Sequence, residues 1–232
     1  GITQFTLRLN SQPTADVTIY VASNDLTGGT VSTAMLTFTT MNWSAPQTVV
    51  VTGVDDAVAD GNMAYQIVLT GGISGDVLYS GINPADVGLT NIDDDGAVVT
   101  VSPTSGLVVS EAGTTATFSI VLGSQPTANV TISLSTSDAS ESSVLPTSAT
   151  FTTANWATPQ IFTVTGVNDV LLDGPIAHSI VTGACVSSDA NYNGLNPSNV
   201  GVTTTDDDTA GISVSPTSGL YTTEAGATAT FS

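Results

Sequence analysis

The sequence predicts an all-β protein built from tandem immunoglobulin-like antiparallel β-sandwiches. Three observations support this prediction. Gly, Pro, Ser and Thr are abundant between short apolar runs rich in β-branched residues, as in strands joined by turns. No stretch shows the periodicity of an amphipathic helix. The sequence also repeats at an offset of 113 residues, which suits one sandwich domain and is too long for one coil of a solenoid.

The repeat needs no gaps and defines the domain organisation. Ser11–Ala15 returns as Ser124–Ala128, and Val101–Gly106 returns as Val214–Gly219. We therefore expect a complete unit at 98–210, the same unit without its first strand at 1–97, and the first strand of a third unit at 211–232. These are called the first unit (1–97), the second unit (98–210) and the C-terminal segment (211–232). The chain is expected to be a segment of a longer tandem array of such units.

About seven strands are expected in the second unit. The clearest is Thr115–Leu122, where alternate residues from Ala116 to Leu122 are apolar and share a face. Short apolar or alternating runs predict the others, at 98–101, 130–134, 149–151, 161–164, 176–180 and 200–202.

The charge balance excludes some partners. Arg8 is the only Lys or Arg against 20 acids, for a net charge of −19, so binding to nucleic acid or to an anionic membrane is not expected. Hydrophobic residues make up 41% of the chain, enough for a folded core, and no apolar run is long enough to span a membrane. Cys185 is the only cysteine, so no disulfide can form within the chain. In the extracellular protein that we expect, bound metal ions could supply the stabilisation that a disulfide would otherwise give.

Fourteen acids occupy repeat-matched positions near the ends of predicted strands. Two aspartate triplets stand out, each directly after an apolar, Thr-rich run. Because loops from alternate strand ends gather at one pole of a sandwich, these acids are expected to lie together. The set is Asp25, Asp56, Asp60, Asp93, Asp94, Asp95, Glu111, Asp138, Asp169, Asp173, Asp206, Asp207, Asp208 and Glu224.

Clustered carboxylates are typical of a calcium site. Ca²⁺ takes six to eight oxygen ligands in loose geometry, whereas Mg²⁺ tolerates fewer protein ligands and zinc prefers His and Cys. The alternative is a solvated acidic cap that binds cations weakly and without specificity.

Three stretches resemble the Calx-beta domains, calcium-binding sandwiches of sodium/calcium exchangers and many bacterial surface proteins. Val167-Asn168-Asp169 with Asp173-Gly174 looks like the acidic loop of that family, Asp206–Ile212 looks like its terminal triplet, and Tyr221–Gly226 looks like its first-strand glutamate motif. The resemblance covers the whole repeat and implies that the fourteen acids are calcium ligands. Asp60 and Asp173 stand where the family often has Glu, and Asn168 replaces Asp55, which bears on the number of ions.

No catalytic motif is present, and no enzymatic activity is expected. There is no nucleophile elbow and no phosphate-binding loop. The two acids of a glycosidase-type pair should stand out from the acids that recur in both units. The acids that we interpret as standing out in this way are Asp16, Asp76, Asp86, Glu141 and Asp189.

Four other side chains have more than one interpretation. Trp43 and Trp156 are expected to anchor matched turns, with a sugar-stacking platform as the alternative. His178 is expected to be a packed side chain rather than a catalytic base. Cys185 is taken as incidental, with an interchain disulfide or a thiol reaction as the alternative.

The function expected first is structural: a calcium-stabilised extracellular array forming a filament or an adhesin stalk. The alternative is an adhesion module that binds a surface glycan or protein through the variable loop Gly183–Pro197, with exposed aromatics such as Tyr192. A calcium sensor is a third class and would need a coupled partner domain.

Two modes of self-assembly are open. The units could join covalently in tandem, or the spare C-terminal strand could complete the first unit of another copy and give a head-to-tail filament. Ala227–Ser232 repeats the register of Gly1–Thr6, so donor and acceptor would compete for six positions.

Overall fold

The computed structural model describes residues Gly1–Ser232 and contains only β-strands. The predicted fold class, tandem immunoglobulin-like antiparallel β-sandwiches, is confirmed. No helix in the structure is long and apolar enough to cross a membrane. Two separate hydrophobic cores are present, one formed by residues between Phe5 and Leu89 and the other by residues between Ala97 and Val202.

The first unit packs two sheets against each other. One has the order β1-β5-β3 and the other β4-β2-β6-β8, with β7 pairing on β2. The strands are β1 (Ile2–Leu7), β2 (Val17–Ser23), β3 (Gly29–Val31), β4 (Met35–Phe38), β5 (Gln47–Gly53), β6 (Met63–Leu69), β7 (Ile73–Ser74) and β8 (Val87–Asn91).

The second unit repeats this plan with additional strands at one edge of each sheet. Its sheets have the orders β13-β15-β11-β9 and β10-β17-β16-β12-β14. The strands are β9 (Val99–Ser102), β10 (Leu107–Ser110), β11 (Thr115–Leu122), β12 (Val130–Thr136), β13 (Ser142–Leu145), β14 (Ser148–Phe151), β15 (Gln160–Gly166), β16 (Ile176–Thr182) and β17 (Val200–Thr205).

Nine strands form in the second unit, rather than about seven. The sequence analysis missed β10 and β13, each of only four residues. The opening segment divides at Gly106, whose φ of 81° breaks the extended backbone. As a result β9 pairs antiparallel with β11 in one sheet, while β10 pairs parallel with β17 in the other.

The alternation in β11 has the predicted consequence for the core. Phe118, Ile120 and Leu122 are buried, and Phe118 stacks on Phe162 of the neighbouring strand β15 with ring centroids 5.3 Å apart. Ala116, on the same face, is only half-buried.

The C-terminal segment forms no regular strand and is almost entirely exposed. It does keep the geometry of the repeat. Ser215 and Ser232 exchange two backbone hydrogen bonds of 3.0 Å, and their repeat-equivalents Ser102 and Ser119 pair between β9 and β11. Gly219 also has the positive φ of Gly106.

Candidate metal centre

The acidic pole of the second unit is built by four segments that lie close together. Glu111 directly follows β10, Glu141 directly precedes β13, Asp169 and Asp173 lie in the loop between β15 and β16, and Asp206 and Asp208 follow β17. The parallel pairing of β10 with β17 brings Glu111 beside the triplet, and its amide donates to the Thr205 carbonyl at 3.1 Å.

Two groups of three carboxylates converge at this pole. One consists of Glu111, Asp169 and Asp208, and the other of Glu141, Asp169 and Asp173. Within each group, one oxygen from every side chain lies within 4.8 Å of the others. Asp169 belongs to both groups and therefore joins them into one centre.

Burial makes this centre electrostatically unfavourable without a cation. Glu111 and Glu141 are 3% and 4% exposed, and an Oε2 atom of each is buried without a hydrogen-bond partner, as is Oδ2 of Asp208. Burial raises the pKa of Glu111, and the charge of Asp206 raises it further. Burial also raises the pKa of Glu141 and of Asp208, with further contributions from Asp173 and Asp206 respectively. Buried charges of one sign require an opposite charge nearby.

The first aspartate of each triplet has a different role from the third. Oδ2 of Asp206 accepts the Gly174 amide at 2.7 Å, and Oδ1 accepts the Asp208 amide at the same distance. These hydrogen bonds lower the pKa of Asp206, the Gly174 bond most strongly. The same hydrogen bonds favour the ionised form of Asp206 and hold the acidic loop against the exit from β17.

The first unit repeats this link. Asp93 accepts the Gly61 amide at 2.5 Å and the Asp95 amide at 2.9 Å, and these bonds lower its pKa. Burial raises the pKa of Asp95, and Asp93 adds to that effect. Five of the predicted acids line one small depression with Asp55, namely Asp56, Asp60, Asp93, Asp94 and Asp95.

No three acids of the first unit converge as closely as those of the second. One difference contributes to this: Gly28 stands at the repeat-equivalent of Glu141.

Several predicted ligands are not part of a converging group. Asp207 is exposed, and Glu224 is exposed within the C-terminal segment. Asp138 and its equivalent Asp25 accept local hydrogen bonds from Ser140 and Thr27, which lower the pKa of each.

Glu141 was missed as a site residue because it has no acidic counterpart in the first unit. Its position three residues after Asp138, in the same loop, was the available indication. The loop starts a strand, β13, that the sequence analysis did not predict. His178 lies nearby, half-buried, with Nε2 at 2.6 Å from Oγ of Ser142.

Three further interpretations are corrected by the structure. Tyr192 is not an exposed aromatic: it is 1% exposed, and its hydroxyl group is hydrogen-bonded to Ser124. Cys185 lies in the second core, where burial raises the pKa of its thiol, so it is not available for an interchain disulfide. Asp76 and Asp189 do not stand apart from the repeat. They are 113 residues apart and accept equivalent amides, from Thr14 and Thr127.

The two tryptophans occupy equivalent half-buried places. Trp43 packs against the first core and Trp156 against the second. Their carbonyls accept the Leu9 and Leu122 amides at 2.9 and 3.2 Å. These contacts are those of a turn anchor.

Comparison with known proteins gives no match to any protein-family model and none to any curated protein. Solved structures with a similar arrangement include the calcium binding domain CBD12 of CALX1.1, with 13% identity, a TM-score of 0.40, and coverage of 80% of this chain and 74% of that one. CBD12 from CALX1.2 has 10% identity, a TM-score of 0.39, and coverage of 82% and 77%. Domains 4 and 5 of the S-layer protein SbsC have 13% identity, a TM-score of 0.31, and coverage of 81% and 75%. Scores this low carry no information on function.

Proposed function

We propose that this chain is a non-enzymatic extracellular structural protein in which Ca²⁺ neutralises the acidic pole of each β-sandwich and stiffens its junction with the next, as in a filament or an adhesin stalk. The observation that carries the proposal is the convergence of Glu111, Asp169 and Asp208. Two of these carboxylates have a buried oxygen without any partner. The chain's only Lys or Arg, Arg8, is exposed in the other unit, so no Lys or Arg side chain neutralises these carboxylates, and a bound cation would do so.

The ligand set suits calcium better than other cations. All the candidate ligands are carboxylate oxygens, and the two groups share Asp169, so five acidic side chains take part in two adjoining groups. Mg²⁺ prefers a strict octahedron with several waters, and Zn²⁺ prefers nitrogen and sulfur. Extracellular modules bind Ca²⁺ with dissociation constants of about 10⁻⁴–10⁻³ M, which external calcium concentrations would satisfy.

The stiffening role is supported by contacts between the units. The loop between β5 and β6 carries Asp56 and Asp60, and its backbone also contacts the second unit. The Ala57 carbonyl accepts the Gln125 amide at 2.6 Å, and the Ala59 carbonyl accepts Nδ2 of Asn191 at 2.6 Å. A cation that orders this loop would therefore also order the junction.

The loop of the second unit is suited to an equivalent contact with a further unit. Val170 and Leu172 occupy the positions of Ala57 and Ala59, and they are 85% and 59% exposed. Apolar side chains exposed to this degree beside an acidic centre would gain from being covered.

The adhesion module remains the weaker proposal, because no observation favours it. Tyr192, the aromatic residue that was expected to bind a partner, is buried, and its hydroxyl group is hydrogen-bonded to Ser124.

Thermal unfolding tests the calcium proposal directly. The 232-residue protein would be melted in millimolar Ca²⁺, in millimolar Mg²⁺ and in excess chelator. At millimolar Ca²⁺ a site with a dissociation constant of about 10⁻⁴ M adds about 1.4 kcal/mol, which corresponds to a rise in Tm of roughly 3–6 °C for a protein of this size. The rise should be specific to Ca²⁺.

Two variants assign that rise to the centre. Asp169→Asn removes the carboxylate that both groups share, and it should abolish most of the rise contributed by the second unit. Asp16→Asn is the matched control because Asp16 is exposed and belongs to neither group. Equal melting temperatures in Ca²⁺ and in chelator would mean that the acidic pole is a solvated cap without a specific calcium site, and the proposal would be wrong.

A further inference from the structure

The chain enters and leaves the second unit at opposite ends of the sandwich. It enters at Val98, just before β9, and β9 pairs with β11 so that Val99 lies opposite Leu122. Leu122 marks the end of β11 that is far from the acidic pole, because β11 starts at Thr115, shortly after Glu111. The chain leaves after β17, at the acidic pole itself. Tension along the chain therefore acts along the strands.

The first and last segments of the second unit are bonded side by side. All four residues of β10 pair in parallel with β17. Before β10, the Gly201 amide donates to the Thr104 carbonyl at 2.9 Å. After it, the Glu111 amide donates to the Thr205 carbonyl at 3.1 Å, and the Thr205 hydroxyl donates to the Val109 carbonyl at 3.3 Å. Hydrogen bonds between the two segments thus extend beyond both ends of β10.

This parallel pairing meets tension in shear. Tension at Val98 pulls β10 toward the first unit, whereas tension beyond β17 pulls that strand the opposite way, and both forces run along the strands. The backbone hydrogen bonds cross from one strand to the other at several points. They must therefore be lost together, rather than one after another as when strands are peeled apart from one end.

The candidate metal centre lies across the same two strands. Glu111 directly follows β10, and Asp208 follows β17. Each has a buried carboxylate oxygen without a hydrogen-bond partner, and one oxygen of each lies within 4.8 Å of the other and of one from Asp169. A cation bound by Glu111 and Asp208 would link the strand that is pulled one way to the strand that is pulled the other way.

We infer that the second unit bears tensile load through β10 and β17, and that a cation held by Glu111 and Asp208 cross-links the two strands against sliding. The shear pairing does not depend on the cation, whereas the cross-link rests on the proposed calcium function. Sliding by two residues, the smallest step that restores the hydrogen-bond pattern, would move Asp208 by about 6.6 Å relative to Glu111. Calcium–oxygen distances are about 2.4 Å, so the ion could not hold both carboxylates after this step.

The other group of carboxylates lies outside the path of the load. Glu141 precedes β13, which pairs with β15 in the opposite sheet. Otherwise it matches Glu111 closely: the two are 4% and 3% exposed, and each has one buried oxygen without a partner. A comparison of these two acids can therefore separate a cross-link between loaded strands from a general gain in stability.

Force spectroscopy with two attachment geometries tests the shear pairing. In the 232-residue protein, Val98→Cys with Ala210→Cys places handles at exposed positions on either side of the unit. Ala112→Cys with Ala210→Cys is the comparison, because both handles then lie at the acidic pole and peel β10 from β17 starting at one end. The native Cys185 is buried and does not compete for the handles.

The two geometries should differ in chelator, where no cation contributes. At constant force, the lifetime of the folded unit should be at least about tenfold longer in the first geometry, since several hydrogen bonds must be lost in one step. Equal lifetimes in the two geometries would overturn the inference.

Millimolar Ca²⁺ tests the cross-link in the first geometry. For a site with a dissociation constant of about 10⁻⁴ M, the lifetime under load should be about tenfold longer than in chelator. Glu111→Gln should lose most of this increase, whereas the matched control Glu141→Gln should keep most of it. Equal losses in the two variants would mean that the ion does not act across the loaded strands, and the cross-link would be wrong.

Melting temperatures distinguish this inference from the function on which its second part rests. If Ca²⁺ raises the Tm but does not lengthen the lifetime under load, the cross-link is wrong and the calcium proposal stands. If the two geometries differ but Ca²⁺ changes neither the lifetime nor the Tm, the shear pairing stands and the calcium proposal is wrong.

Discussion

The hydroxyl group of Tyr192 donates to the Ser124 carbonyl at 2.7 Å. The hydroxyl oxygen of Tyr192 also accepts the Ser124 amide at 3.0 Å and lies 2.8 Å from Oγ of Ser124. Tyr79 and Ser11 form the same three contacts in the first unit, but at the surface. The long loop before β17 is therefore held to the end of β11 by a fully buried tyrosine, and the equivalent loop of the first unit is held by a tyrosine that is only half-buried.

The difference in burial predicts different costs for the same substitution. Tyr192→Phe leaves the buried polar atoms of Ser124 without their partner and should lower the free energy of unfolding by about 1–3 kcal/mol. Tyr79→Phe should cost less than about 1 kcal/mol, because water can replace the lost bonds. Chemical denaturation followed by tryptophan fluorescence measures both variants, and equal costs would contradict the role of burial.

The fold was predictable because its determinants are local or repeated. The alternation in β11 gives its buried face directly, and the offset of 113 residues identifies the two sandwiches. The strands that were missed, β10 and β13, are short and are defined by partners far along the chain, such as the parallel pairing of Leu107 with Val202. Pairing over such distances is not encoded in local periodicity.

The site was predicted only where the repeat marks it. Glu111, Asp169 and Asp208 were found because acids recur at repeat-matched positions. Glu141 was not, since its equivalent is Gly28. Burial was the other unpredicted quantity, and it decides that Asp207 is a solvated acid while the adjacent Asp208 has a buried, unpaired oxygen.

The contact between Asn191 and Ala59 should affect the orientation of the units more than their stability. Asn191 is exposed, and its Nδ2 bond to the Ala59 carbonyl is its one side-chain link to the first unit. Asn191→Ala should leave Tm nearly unchanged and broaden the distribution of inter-unit distances measured by small-angle scattering in Ca²⁺. Asn193→Ala, two residues away and directed within its own loop, is the control. Indistinguishable scattering from the two variants would argue against the junction.

Glu141→Gln should have opposite effects with and without calcium. The raised pKa of Glu141 means that its ionised form is disfavoured in the folded state, so removing the charge should raise Tm in chelator. In Ca²⁺ the same substitution removes a ligand and should reduce the calcium-dependent rise. Melting curves of Glu141→Gln and of the Asp16→Asn control in both conditions check this, and an undiminished calcium-dependent rise in Glu141→Gln would exclude Glu141 as a ligand.

The stability of the calcium-free protein should pass through a maximum as pH falls. Glu111, Glu141 and Asp208 have raised pKa values through burial, so the folded state takes up protons more readily than the unfolded state. The free energy of unfolding in chelator should therefore increase as pH falls from about 7 toward the ordinary carboxyl range near 4.

Below that range the direction reverses. Asp206 has a pKa lowered by the amides that it accepts, and so does Asp138, chiefly through Ser140. A carboxyl group whose pKa is lowered in the folded state stabilises the fold at pH values above its unfolded-state pKa. That stability is lost as pH falls through its folded-state pKa. In Ca²⁺ no such maximum is expected, because protons compete with the ion for the same oxygens and weaken its binding throughout the fall. Melting temperatures in calcium and in chelator should consequently converge on acidification, and a constant difference between them would mean that the ion binds away from the buried acids.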